Sequence, residues 1–136
     1  EKLADAVRGD ADLLAANLFD RGGAEALIAE VGEEAVGYAI FFPTFSTFEC
    51  RPGVWVEDVF VQPPHRRHGI GRALLARIAA LALERGCARL EWSALDWNEP
   101  ALRFYDGLGA TRLRQWRILR LDGAELAQLG AERRLR

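Results

Sequence analysis

Methionine is absent from all 136 residues, and the chain carries two cysteines, two histidines and a single lysine. Each shortage closes a line of interpretation. Cys50 and Cys87 lack metal-knuckle spacing and are too few for the disulfide framework of a small secreted domain, so they read as free thiols in a reducing compartment. His65 and His68 flank one turn, and no metal site is expected there. The longest apolar run, Ala73 to Leu83, is interrupted by Arg77 and falls short of the ~20 residues that cross a bilayer. No stretch resembles a signal peptide. No membrane association is expected, and a cytoplasmic location is. Repeats, linkers and low-complexity tracts are also missing. With no methionine even at position 1, and an opening in mid-flow at Glu1-Lys2-Leu3, a segment preceding Glu1 is expected to be missing from this sequence.

What remains is ordinary for a globular protein: 50% of residues are apolar and 28% charged, enough to build the core of one domain over 1–136. The net charge of −2 conceals a split. Residues 1–50 hold three basic and ten acidic side chains (net −7), and residues 51–136 hold fifteen and ten (net +5). A basic C-terminal part suits a small polyanionic ligand. With a pI of 5.7, the whole is too mixed for a nucleic-acid footprint.

Read along the chain, Asp10 or Asp12 can cap a short helix through Leu18, stopped by Gly22-Gly23. Ala24 to Val31 and Ala35 to Phe42 form a hairpin around Gly32-Glu33-Glu34. Pro43 to Pro52 reads as a loop, and Gly53 begins a strand ending at Val61 before Pro63-Pro64. Ile70, Leu74, Ile78 and Leu81 lie on one face of a helix that Gly86 terminates. Ala88 to Leu95 alternates as a strand. Asn98 is a good N-cap, with Pro100 in the first turn of a helix ending at Gly107 or Gly109. A strand over Gln115–Leu121 and a helix over Gly123–Leu129 complete a mixed α/β sheet.

The most informative stretch runs from Val54 to Val61, through Glu57-Asp58, into Arg66-Arg67-His68-Gly69-Ile70-Gly71-Arg72 and the helix behind it. An apolar strand thus feeds a basic, glycine-punctuated turn at a helix start. Exposed backbone N–H groups, the positive end of the helix dipole and nearby arginines together cradle a pyrophosphate. Glycine lets the backbone approach an anion where a side chain would block it. Two carboxylates beside an anion cradle suggest an enzyme that uses a phosphorylated cofactor.

Arg66-x-x-Gly69-x-Gly71, joined to Trp97-Asn98-Glu99-Pro100-Ala101, Phe104-Tyr105 and Gly109-Ala110, resembles the GNAT superfamily of acyl-CoA-dependent N-acetyltransferases. With Glu57-Asp58, the likeness is to its diamine (spermidine/spermine) and thialysine-acetylating branch, from about Leu3 to Leu129. The resemblance implies a mostly antiparallel mixed sheet flanked by helices, with an initial strand and helix lying before Glu1. It implies acetyl-CoA as acyl donor, no metal, and a small primary amine as acceptor. Val59, Phe60 and Val61 would offer backbone groups to the pantetheine arm. Arg66, Arg67, His68, Gly69, Ile70, Gly71 and Arg72 would hold the pyrophosphate, with Asn98, Ala101 and Tyr105 also on the donor. Glu57 would draw a proton from the amine, Tyr105 would protonate the departing thiolate, and a backbone N–H near Val59 would polarise the carbonyl. Asp58, Glu91, Trp92 and Ser93 would line the acceptor side. Relatives pair through C-terminal strands, so a homodimer is expected.

One departure concerns the acceptor. Where the diamine branch carries an acidic loop, Thr111-Arg112-Leu113-Arg114-Gln115 is short and basic, which favours an amino-acid-like amine over a polycation. Two alternatives stay open: acetylation of a protein lysine or N-terminus, and a CoA-binding module without turnover.

Overall fold

The computed structural model describes residues 6–132, which divide between Ser93 and Ala94 into two compact units. The first unit is a four-stranded sheet, β1 (Glu25–Val31), β2 (Glu34–Ser46), β3 (Arg51–Val61) and β4 (Leu90–Glu91), in that spatial order. The first three strands are antiparallel, and β4 joins β3 in parallel. This is the mixed, mostly antiparallel sheet expected. Before it come α1 (Ala11–Ala15), capped by the Asp10 carboxylate on the Leu13 N–H at 2.8 Å, and a π-helical turn over Ala16–Asp20. The latter closes the expected helix with a wider turn.

One helix supplies the core. α2 (Ile70–Glu84) buries Leu74, Leu75, Ile78 and Ala82 with Val36, Ala39 and Phe41 of β2 and Val54 and Val56 of β3. It ends in a left-handed Gly86, with the Cys87 N–H on the Ala82 carbonyl and the Gly86 N–H on the Leu83 carbonyl. These two bonds satisfy carbonyls that a helix end otherwise leaves open. Ion pairing between Arg85 and Glu25, with two contacts of 2.7 and 2.8 Å, ties the end of α2 to the start of β1.

Three sequence expectations need correction. Pro43 to Pro52 is not a loop: β2 continues through Pro43 to Ser46, β3 starts at Arg51, and only Thr47–Cys50 turns. β1 begins at Glu25 opposite Phe41, so beyond that point β2 has no described strand on its other side. A proline lacking an N–H is tolerated on such an edge. The strand foreseen over Ala88–Leu95 shrinks to Leu90–Glu91, because β4 meets only Val54 and Trp55. Gln115–Leu121 is not a strand; no described strand pairs with it, and Trp116, Ile118 and Leu119 stand exposed.

The second unit holds α3 (Glu99–Gly107) and α4 (Gly123–Gly130), as expected in both places. Both cysteines are free thiols. No described helix is long and apolar enough to cross a membrane.

Candidate active site

The site starts from a defect in the β2–β3 ladder. Ile40 pairs with Asp58 and Phe41 with Val56, so Glu57 is an extra residue with no partner on β2. Such a bulge bends its strand and re-aims the side chain it carries. Because of it, Glu57 and Asp58 both leave the α2 side of the sheet and join Trp55 and Phe60 on the opposite face, across from Tyr38, Ile40 and Phe42. The Trp55 indole N–H donates to Glu57 Oε1 at 3.1 Å. Desolvation pushes the Asp58 carboxyl above the usual aspartate range, and the Glu57 charge adds to the rise. Tyr38 is raised by desolvation and then by Asp58, and its ring lies 5.7 Å from that of Phe60. Two carboxylates on a half-buried aromatic face are suited to an ammonium group.

Beside this face the sheet opens. β4 leaves β3 after Trp55, so from Val56 to Val61 one edge of β3 has no described strand partner. Direction follows from parity. The Gln62 N–H reaches the Val36 carbonyl at 2.8 Å, and antiparallel bonds alternate. Phe60 therefore turns its backbone groups to β2, whereas Val59 and Val61 face the open edge. Of these, the Val61 carbonyl already accepts Arg66 Nε at 2.7 Å, and the Arg66 guanidinium sits 5.5 Å from the centre of the Phe60 ring. Val59 is thus the position best placed for an added extended chain. Of the three backbone positions expected, Phe60 turns its backbone groups toward β2.

At the end of β3, a 3₁₀ turn over Pro63–His65 leads into the basic turn, with His65 Nε2 4.0 Å from Glu34. Arg67 (φ 66°) and Gly69 (φ 84°) both adopt the left-handed conformation. These reversals curl the backbone just before α2, and Gly69 brings no side-chain cap to the first N–H groups of the helix. Arg67, His68 and Arg72 are exposed. Unclaimed helix N–H groups, a dipole end and exposed basic side chains fit a pyrophosphate. Glu91 and Trp92 are half-buried in the same unit, and Ser93 is exposed.

The second unit carries the remaining candidates. Asn98 Oδ1 accepts from the Ala101 N–H at 3.4 Å and caps α3. Tyr105 is half-buried, and burial raises its phenol above the usual range, so it stays protonated at neutral pH. Arg112 does not reach outward as an isolated charge: it grips Asp106 through two contacts of 2.6 and 3.1 Å. That pairing holds the Asp106 carboxyl below its usual range. Sequence reasoning missed Trp55 and Tyr38. The Trp55–Glu57 spacing was a usable signal, since residues two apart in a strand share a face. The bulge left no mark in the residue pattern.

The profile of the acetyltransferase (GNAT) family matches residues 4–110. The chain belongs to that family. It is an acetyl-CoA-dependent N-acetyltransferase. A thialysine N-epsilon-acetyltransferase of Bos taurus is 32% identical over 144 residues, covering 97% of this chain and 84% of that protein. An L-ornithine N5-acetyltransferase of Arabidopsis thaliana is 40% identical over 90 residues, which span 66% of this chain but 40% of that relative's length. Among solved structures, an integron cassette protein from the mobile metagenome of V. cholerae superposes with a TM-score of 0.82 at 26% identity, covering 96% of this chain and 83% of that one. A ribosomal-protein-alanine N-acetyltransferase from Brucella melitensis gives 0.68 at 28% identity, covering 81% and 80%.

Proposed function

We propose that this GNAT enzyme acetylates the primary amine of a small, amino-acid-like molecule, with Glu57 as base and Tyr105 as acid. The observation that carries the reading is the bulge, which sets Glu57 and Asp58 together beside the open edge at Val59. Bound acetyl-CoA supplies an activated acetyl thioester. The basic turn over 66–72 would hold its pyrophosphate and Val59 would pair with its extended arm, and the family resemblance adds Asn98 and Ala101 as cofactor contacts. An alkylamine of pKa about 10 is mostly ammonium at neutral pH. Glu57 takes a proton from it, directly or through one water, and frees the lone pair. As the new C–N bond forms and the C–S bond breaks, the Val59 N–H stabilises charge on the carbonyl oxygen. Tyr105, whose phenol pKa is raised further by burial, would give a proton to the sulfur, and the second proton shed by the nitrogen as the amide forms would restore the tyrosine through water.

Asp58 and the aromatic face receive the ammonium, with Glu91, Trp92 and Ser93 as further acceptor-side residues. The names of the thialysine and ornithine relatives support a zwitterionic acceptor. Arg114, rather than the Asp106-bound Arg112, is the better candidate for the acceptor's carboxylate. The exposed Trp116, Ile118 and Leu119 support association of two copies, and the free thiols fit a cytoplasmic location.

The test is thiol release from acetyl-CoA across diamines, polyamines, lysine, ornithine and thialysine, with the acetylated amine identified by mass. Turnover with the amino-acid amines and little with spermidine is expected. Tight CoA binding without thiol release on any amine would overturn the reading.

A further inference from the structure

A general base must hold one geometry, and Glu57 sits on the bulge, where the ladder with β2 does not hold it. It is unpaired on β2 because of the bulge, and the edge of β3 toward β4 has no described strand partner from Val56 onward. Its side chain also has three rotors to fix. Two residues earlier the situation reverses. Trp55 pairs with Phe42 on one side and Glu91 on the other, and is the last residue of β3 held by strands on both edges. Its indole is half-buried and has only two rotors. From this fixed point the indole N–H reaches Glu57 Oε1 at 3.1 Å.

We propose that Trp55 is a positioning residue: its indole N–H pins one oxygen of the bulge carboxylate and leaves the other, Oε2, for proton transfer from the acceptor amine. The inference rests on the reading of Glu57 as the base. Indole is a donor only, so it cannot compete for the proton that Glu57 takes. A hydrogen bond to a charged acceptor is among the stronger ones, and a rigid donor loses little freedom in making it.

The test is a double-mutant cycle on the full chain, with kcat and KM measured for the best amine and for acetyl-CoA. Trp55→Phe removes the donor and is expected to lower kcat by about ten-fold or more, with KM for acetyl-CoA unchanged. Trp55→His, whose Nε2 occupies the ring position of the indole nitrogen, recovers most of that loss. In a Glu57→Gln background, Trp55→Phe adds nothing to the loss of kcat, because no base remains there to be positioned. A merely structural tryptophan would produce the same loss in both backgrounds and no rescue by histidine. That result, or wild-type kcat in Trp55→Phe, overturns the proposal while Glu57 stands as base. Wild-type kcat in Glu57→Gln overturns both. Should Trp55→Phe fail to fold, the cycle is run with 3-benzothienylalanine at position 55, which keeps the ring shape and lacks the N–H.

Discussion

Gly37→Ala is the sharpest perturbation the sheet offers. Gly37 faces Val61 across the β2–β3 ladder. A Cβ added there would lie 2.7 Å from the Phe60 carbonyl oxygen, 3.4 Å from Val61 Cα and 3.5 Å from Val61 Cγ2. An ordinary carbon–oxygen contact needs about half an ångström more, and the nearest obstacle is backbone, so no rotamer change relieves it. β2 and β3 must separate where the Gln62 N–H meets the Val36 carbonyl. Overpacking of this kind costs about 1–3 kcal/mol. The stiffer unfolded chain returns about 0.4–1 kcal/mol. At mid-range the net loss is about 1.3 kcal/mol, or a fall in Tm of roughly 4–5 °C for a chain of this size. Because the strain falls on the Val59–Val61 edge, acetyl-CoA should also bind more weakly. Thermal unfolding by circular dichroism and a CoA titration read both effects. Gly107→Ala is the control: it lies in α3, and its added Cβ meets nothing within 4 Å. A Gly37→Ala protein as stable as wild type would refute the reasoning.

Asp58→Asn should raise stability and weaken amine binding. The raised carboxyl keeps its proton longer in the folded state, so stability falls as pH rises from the ordinary aspartate range through the raised value. At neutral pH the neutral amide relieves that, by less than about 1 kcal/mol once screening is counted, while KM for the amine increases. Glu25→Gln should flatten the acid limb of Tm against pH. Hydrogen bonding from Arg85 lowers the Glu25 pKa, so its contribution is present above the unfolded value of 4.5 and lost as pH falls through the lowered folded value. Asn98→Ala removes the cap of α3, and its long 3.4 Å bond places the loss near 0.5–1 kcal/mol in a melting curve.

The parts legible in the sequence are those set by local rules. Asp10, Asn98 and Gly86 act as helix boundaries because caps and left-handed glycines depend on a few neighbours. The basic turn and the apolar stripe of α2 were readable for the same reason. What failed depended on partners distant in sequence. Pro43 and Pro52 read as loop residues, yet both lie in strands: Pro43 in β2 beyond the reach of β1, and Pro52 in β3 ahead of its pairing with β4. Ala88–Leu95 alternates like a strand but diverges from β3 after two pairs. Arg112, which read as an open charge, is a local exception: its partner Asp106 is six residues away, and the turn after α3 brings the two together. At the site, residue types pointed to the pair Glu57-Asp58 and the family resemblance to Glu57, while the bulge and the indole bond to Glu57 belong to the sheet.

The claim that Glu57 deprotonates the acceptor is tested most directly by kcat of wild type and Glu57→Gln as a function of pH, with the best amine of the panel. Near neutral pH, where ammonium predominates, the variant should be slower by about 10²–10⁴-fold. As the pH approaches the amine's own pKa of about 10, free amine becomes abundant and the two curves should converge. Curves that run parallel, or coincide, at every pH would contradict a base at Glu57.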